Sequence, residues 1–90
     1  MAKSIAVVVR NSQAEALRMA VGLILQDDIV HFYALDRKVE DTEQNRLNLQ
    51  TMSELDISAY TNSRDNRDMT YMPTRDIAQK LLEYDHILMY

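Results

Sequence analysis

The chain of 90 residues has a formal net charge of −4, and its charges are spread too evenly to indicate a basic surface for nucleic acid. Its length and its 47% apolar content indicate a single globular domain, residues 1–90. A single Gly and the lack of any Cys exclude glycine-rich phosphate loops, disulfides, thiolate catalysis and cysteine-ligated metal centres.

The chain begins with the signals of a strand followed by a helix. Ile5–Val9 is a continuous apolar run rich in β-branched residues, which is typical of a parallel strand buried on both faces. Ser12 and Glu15 have the spacing of a capping box, so a helix is expected to open there. Gly22 falls inside this helix, and we expect close packing against the sheet to explain it.

Two further strands and a second helix follow. Asp27–Asp28 separates the first helix from Ile29–Leu35, which is apolar except for one histidine and predicts a second buried strand. Thr42–Leu55 has helical character with a thin apolar stripe. Ile57–Thr61 predicts the third strand.

The last third of the chain predicts a polar segment, a helix and a strand. Asn62–Met72 is rich in turn-forming residues. Pro73 suits the first turn of a third helix, and Asp85–Tyr90 closes the chain as a fourth strand. The order β-α-β-α-β-α-β predicts an α/β fold, namely a small three-layer, four-stranded parallel sheet of flavodoxin-like type.

This architecture predicts where a ligand would bind. In an open parallel sheet, ligands lie beyond the carboxyl ends of the strands, where the strand order reverses. With the order 2-1-3-4, the reversal falls between the first and third strands. The side chains there offer hydroxyls, amides and a guanidinium, so a small anionic ligand is expected. The candidate ligand-binding residues are Arg10, Asn11, Ser12, Ser58, Tyr60, Asn62 and Ser63.

The order of these elements, with the Ile5–Val9 strand, the Asn11-Ser12 turn and the strand Leu55–Tyr60, resembles the DsrE/DsrF family, which includes the TusD-type sulfur-relay subunits. The resemblance implies a small α/β fold that assembles into dimers, trimers or hexamers. In active members, a Cys near the end of the third strand carries a persulfide. Ser58, or Tyr60 in a shifted register, takes that position here. Since a hydroxyl cannot hold a persulfide, the resemblance implies a subunit without sulfur-carrier activity.

Three further features bear on chemistry: the two histidines, the segment Asp65–Asp68 and the start of the first helix. His31 and His86 lie in predicted strands far apart in sequence, so we expect histidines with structural hydrogen bonds rather than a metal site. The segment Asp65–Asp68 lacks the Gly and the distal Glu of a calcium loop, which favours a solvated turn. FMN binding stays open as an alternative, with Arg10 and the first helix holding one anion. No cofactor and no catalytic residue are predicted.

An apolar group within the polar segment suggests an interface. Met69, Tyr71 and Met72 precede the third helix, where they mark either a subunit contact or packing on that helix. The apolar last strand is expected to be an edge, which favours a homo-oligomer. No apolar run approaches the length of a membrane span, and a cytoplasmic location is expected.

The sequence therefore predicts a non-catalytic DsrE-like subunit or a small-ligand-binding module that forms a homo-oligomer. Two alternatives stay open. The first is a small enzyme that acts on an anionic substrate at the carboxyl ends of the strands. The second is a purely structural interaction protein.

Overall fold

A computed structural model of the chain describes residues 3–24 and 29–90, so the boundary expected at Asp27–Asp28 lies outside the described residues. The elements are β1 (Ser4–Val9), α1 (Gln13–Ile24), β2 (Ile29–Ala34), α2 (Glu43–Glu54), β3 (Ser58–Thr61), β4 (Thr70–Tyr71), α3 (Thr74–Leu81) and β5 (His86–Met89). The α/β class and the three helices are as predicted. None of the described helices is long and apolar enough to cross a membrane.

The sheet has five parallel strands rather than four, in the order β4-β3-β2-β1-β5. The additional strand, β4, is a two-residue ladder on β3 within the segment that was expected to be turns. The order 2-1-3-4 is wrong, because β2 lies between β1 and β3. The order therefore reverses between β1 and β5.

The placement of the helices accounts for this order. Residues of α1 and α2 pack on one face of the sheet, together with Val7, Val9 and Phe32. Ile77 of α3 packs on the opposite face. Since crossovers between parallel strands are right-handed, two helices on one face move the chain in one direction, and a helix on the other face returns it past β1.

The central strands are buried on both faces, as their apolar runs predict. Val7 and Phe32 project toward α1 and α2, whereas Ala6, Val8 and Tyr33 project toward α3. All five side chains are fully buried. β1 and β2 therefore form a fixed platform whose carboxyl ends carry the loops described below.

The structure confirms the predicted starts of α2 and α3 but not the close packing expected at Gly22. The Thr42 hydroxyl accepts a hydrogen bond from the Asn45 backbone N–H at 3.1 Å and so caps α2. Pro73 directly precedes α3. The expectation for Gly22 is wrong: it is exposed, and outside the local helix backbone no atom of the described chain lies within 4 Å of the position of an added Cβ.

Candidate functional site

Four polar side chains join the carboxyl ends of three neighbouring strands. Arg10 follows β1, and its Nε and Nη2 both donate to Oδ2 of Asp36, which follows β2, at 3.0 and 2.7 Å. Asn62 follows β3; its Oδ1 accepts from the Asp36 backbone N–H at 2.7 Å. The Asn62 Nδ2 donates to Asp36 Oδ1 at 3.0 Å and to the Thr74 hydroxyl at 2.9 Å. We call Arg10, Asp36, Asn62 and Thr74 the carboxyl-edge network.

This network holds an ion pair in a defined orientation. Asp36 adopts a left-handed backbone conformation with φ 67°, which Asp tolerates better than most residues. The Asn62 hydrogen bond and the Arg10 guanidinium lower the pKa of Asp36, so its carboxylate is ionised at neutral pH. Arg10 is 59% exposed. Two of its five N–H groups bind Asp36, and the others have no protein partner among the described residues.

The loop after β1 lies where the strand order reverses. The backbone N–H groups of Arg10 and Asn11 both donate to the Tyr90 carbonyl, at 2.9 and 3.4 Å. The Ser12 carbonyl accepts from the Ala16 N–H at 3.0 Å, which starts α1. Ligands of open parallel sheets bind at such a reversal. The loop therefore occupies the position that was expected for it, although its neighbour is the end of β5 rather than the end of β3.

A cleft of about 360 Å³ opens beside this loop. It lies between the first turns of α1 and α2, and its volume is at the small end of the range for ligand pockets. The first-turn N–H groups of a helix are donors without intrahelical partners and carry partial positive charge. The lining residues are Asn11, Ser12, Gln13, Ala14, Glu15, Glu40, Thr42 and Asn45.

A larger cleft of about 560 Å³ lies over the ends of β2 and β3. Asn66 shapes it, because its Oδ1 accepts from the Val39 N–H at 2.7 Å and its Nδ2 donates to the Arg37 carbonyl and the Thr61 hydroxyl. Asn66 is only 8% exposed, so the expected solvated turn contains a buried clamp between two loops. Acidic and basic side chains mix along the lining, which includes Arg46, Asp68 and Met69.

A second polar group lies on the α3 face of the sheet. The Tyr84 hydroxyl is 2.5 Å from His31 Nδ1 and 2.6 Å from the Tyr33 hydroxyl. Burial, and secondly the charge of Lys80, lower the pKa of His31, so its ring is neutral at pH 7. Burial, and secondly the hydrogen bond to Tyr84, raise the pKa of Tyr33, so we assign Tyr33 as the donor to Tyr84. The Tyr84 hydroxyl is then assigned as the donor to Nδ1 of His31. We call His31, Tyr33 and Tyr84 the tyrosine–histidine chain.

The structure separates several residues that were expected to act together. Asn62 joins Arg10 through Asp36, but Ser58 begins β3 at the amino end of the sheet. Tyr60 stacks on Tyr33, with ring centroids 5.1 Å apart, on the α3 face. Ser63 caps a tight turn through its N–H bond to Thr61 Oγ1 at 3.0 Å.

The three residues of the expected interface face in different directions. Met69 packs against the core on the α1 and α2 face, and Met72 against the core on the α3 face. Tyr71 is 39% exposed, and the Arg64 guanidinium lies 4.1 Å from its ring centroid. Within the described chain, only Tyr71 of the three therefore presents a largely open side chain.

Sequence reasoning missed Asp36, Thr74, Asn66 and Tyr84. Asp36 and Thr74 could have been found, because each is a polar residue directly after a predicted strand or at the start of a predicted helix. Asn66 and Tyr84 gave no such signal, since the partners that connect them to other parts of the fold, Val39 for Asn66 and His31 for Tyr84, lie 27 and 53 residues away in the chain.

Comparison with known proteins found no matching family model, no matching curated protein and no matching solved structure. Among the described residues, no group of three or more His, Asp or Glu side chains is placed to hold a metal ion.

Proposed function

We propose that this chain is a non-catalytic, small-ligand-binding subunit that acts as a homo-oligomer and holds a small anion at the carboxyl edge of its sheet. It would be of the DsrE-like kind that the sequence resembles, without the sulfur-carrier cysteine. The observation that carries the proposal is the orientation of Arg10, whose guanidinium is held by Asp36 and keeps N–H groups open to solvent beside the strand-order reversal.

Arg10 retains binding capacity although it is already paired. Because both bonds to Asp36 use one edge of the planar guanidinium, the remaining N–H groups lie on its far side. Asn62 and Thr74 hold the carboxylate in place, so an incoming anion does not have to order this side chain first. Pre-organisation of this kind lowers the entropic cost of binding.

The neighbouring helix favours the same ligand chemistry. Arg10 precedes the first residue of α1 by three positions, and a helix amino terminus attracts negative charge. Nearby, Ser12 and Asn11 add a hydroxyl and an amide at the edge of the smaller cleft. Glu15 and Glu40 line the same cleft and repel negative charge, so an oxyanion such as phosphate, sulfate or thiosulfate would bind on the Arg10 side of these donors.

The test measures thermal stabilisation of the full chain by inorganic phosphate, sulfate, thiosulfate and AMP. A ligand that binds the folded state stabilises it by RT ln(1 + [L]/Kd), so the melting temperature rises with the logarithm of the ligand concentration once that concentration exceeds Kd. We expect Arg10→Gln to weaken binding of the stabilising anion by about tenfold or more, since a charge-assisted hydrogen bond contributes about 1.5–3 kcal/mol.

Arg18→Gln is the matched control, because it removes the same charge from an exposed position of α1 and should leave binding unchanged. Arg46→Gln addresses the larger cleft, where Arg46 pairs with Asp41 at 2.9 Å. Loss of binding in Arg46→Gln but not in Arg10→Gln would move the site to that cleft. No stabilisation by any of the four anions would refute the proposal.

A further inference from the structure

The strand β5 is an open edge of the sheet. Among the described residues, β1 alone pairs with it. Just beyond β5, Tyr90 donates its N–H to the Val8 carbonyl at 2.8 Å and accepts from the Arg10 N–H at 2.9 Å, so its backbone faces β1. Because these groups alternate in direction along a strand, the N–H and C=O of Ile87 and Met89 face away from β1, toward a side where the described chain places no strand.

The same edge exposes apolar side chains. Leu88 packs with the core on the α1 and α2 face, so Ile87 and Met89 project to the α3 face. They are 42% and 63% exposed, and Leu82 at the end of α3 is 83% exposed. Residues 86–90 contain no Asp, Glu, Lys or Arg. This edge therefore lacks the charges that usually protect an edge strand from pairing.

The opposite edge is protected. β4 has only two residues, and Arg64 covers the ring of Tyr71. Short length and a nearby charge are two of the features that prevent edge pairing. Of the two edges, β5 is the one that can accept another strand.

We propose that β5 pairs antiparallel with β5 of a second copy of this chain, about a two-fold axis at Leu88. Ile87 then lies opposite the partner's Met89, and the outward N–H and C=O groups of these residues form a hydrogen-bonded pair on each side of the axis. The strand is complementary to itself in this register. The four apolar side chains meet on the α3 face. Because residues 86–90 contain no Asp, Glu, Lys or Arg, no pair of such like charges lies opposite in this register.

A second copy fits this edge better than another partner, because in this register each β5 strand supplies the hydrogen-bond partners that the outward backbone groups of the other lack. The two-fold symmetry also closes the assembly at two chains. The contact is small beside the roughly 1,200–2,000 Å² that stable interfaces bury. We therefore expect a dimer that dissociates on dilution through the micromolar range. This inference rests on the homo-oligomer of the proposed function and names its interface.

Sedimentation velocity over a concentration series tests the interface. Met89→Lys places a charge on the edge, and we expect it to weaken dimerisation at least tenfold. Tyr71→Lys introduces the same charge at the other edge and should leave the dimer intact. Both side chains are exposed, so both variants should fold. Loss of the dimer in Tyr71→Lys alone would overturn the β5 interface while leaving a homo-oligomer in place.

Cysteine cross-linking tests the register, and the absence of native Cys makes it specific. An equimolar mixture of Ile87→Cys and Met89→Cys chains should oxidise mainly to the mixed disulfide. In the proposed register position 87 lies opposite position 89 of the partner, at about 5.5 Å between Cα atoms, whereas neither position lies opposite its own copy. Mass spectrometry separates the three products. Random pairing would give the first homodisulfide, the mixed disulfide and the second homodisulfide in a ratio of about 1:2:1. A mixed product at or below about half of the total, or a wild-type monomer at every concentration, would therefore overturn the proposal. Anion stabilisation of Met89→Lys, measured in parallel, shows whether ligand binding stands independently.

Discussion

The hydroxyl of Tyr84 is the link on which the tyrosine–histidine chain depends. Tyr33 is fully buried, and among the described residues its hydroxyl has Tyr84 as its hydrogen-bond partner. Tyr84 is in turn the assigned donor to Nδ1 of His31, at 2.5 Å. Tyr84→Phe removes both hydrogen bonds without changing the size of the ring that packs against these side chains.

The expected loss of stability in Tyr84→Phe comes from the Tyr33 hydroxyl, which that substitution leaves in place. The Tyr33 hydroxyl becomes a buried donor without a partner, which costs about 1–3 kcal/mol. Tyr33→Phe is milder, because Tyr84 still donates to His31 and no buried donor is orphaned; its cost is about 0.5–1.5 kcal/mol, that of one hydrogen bond. The double variant removes both hydroxyls, and its loss in the free energy of unfolding should be smaller than the sum of the two single losses.

Urea and thermal unfolding of the three variants measure this. For a domain of this size, each 1 kcal/mol lowers the melting temperature by about 4–8 °C, so Tyr84→Phe is readily resolved. Tyr71→Phe is the control, because Tyr71 is partly exposed and the face of its ring toward Arg64 is retained. A Tyr33→Phe variant as unstable as Tyr84→Phe, or additive single losses, would refute the assigned direction of the hydrogen bonds.

Two further predictions concern stability. Burial and the charge of Lys80 lower the pKa of His31 below its ordinary value of 6.5. Below that pH the unfolded chain therefore binds more protons at this histidine than the folded chain does. The contribution of His31 to the free energy of unfolding should be constant above about pH 7 and fall as the pH drops below 6.5. Urea unfolding between about pH 7.5 and 5.5, above the range in which Asp36 and Asp85 with their lowered pKa values become protonated, should show the fall in wild type and in His86→Gln but not in His31→Gln. A fall that persists in His31→Gln within this range would contradict the prediction. Gly22→Ala should stabilise the chain by about 0.5–1 kcal/mol, since Gly22 is exposed in α1 with space for a Cβ and Ala favours helix; chemical denaturation measures this, and any loss of stability would show that Gly22 has a contact role after all.

The predicted elements were found because their signals are local. Apolar β-branched runs mark β1 and β2, and each is a strand buried on both faces. Thr42 was placed at the start of the second helix and caps α2. β4 was missed because a two-residue strand has no periodicity of its own and exists only through its bonds to β3.

The candidate site shows where local reasoning stops. Polar residues after β1 and β3 were identified from the chain alone, but their meeting through Asp36 depends on β2 lying between those strands. Ser58 and Tyr60 stand close together in sequence, yet one lies at the amino end of β3 and the other packs on the α3 face. The spacing of two places both side chains on one face of β3. Which helix covers that face, and which strand end lies at the carboxyl edge, are decided by the strand order and the helix packing.

The amino-acid sequence by itself determined the α/β class and excluded thiol chemistry for these 90 residues, because composition is read directly and hydrophobic periodicity acts over a few neighbouring residues. The tertiary structure alone decided the strand order, the pairing of Arg10 with Asp36, the buried clamp at Asn66 and the open edge at β5. The Arg10–Asp36 pair and the Asn66–Val39 bond join residues 26 and 27 positions apart, and the open edge is the lack of a neighbouring strand in the described chain. All of them depend on which face of the sheet each helix packs against, because that sets the strand order.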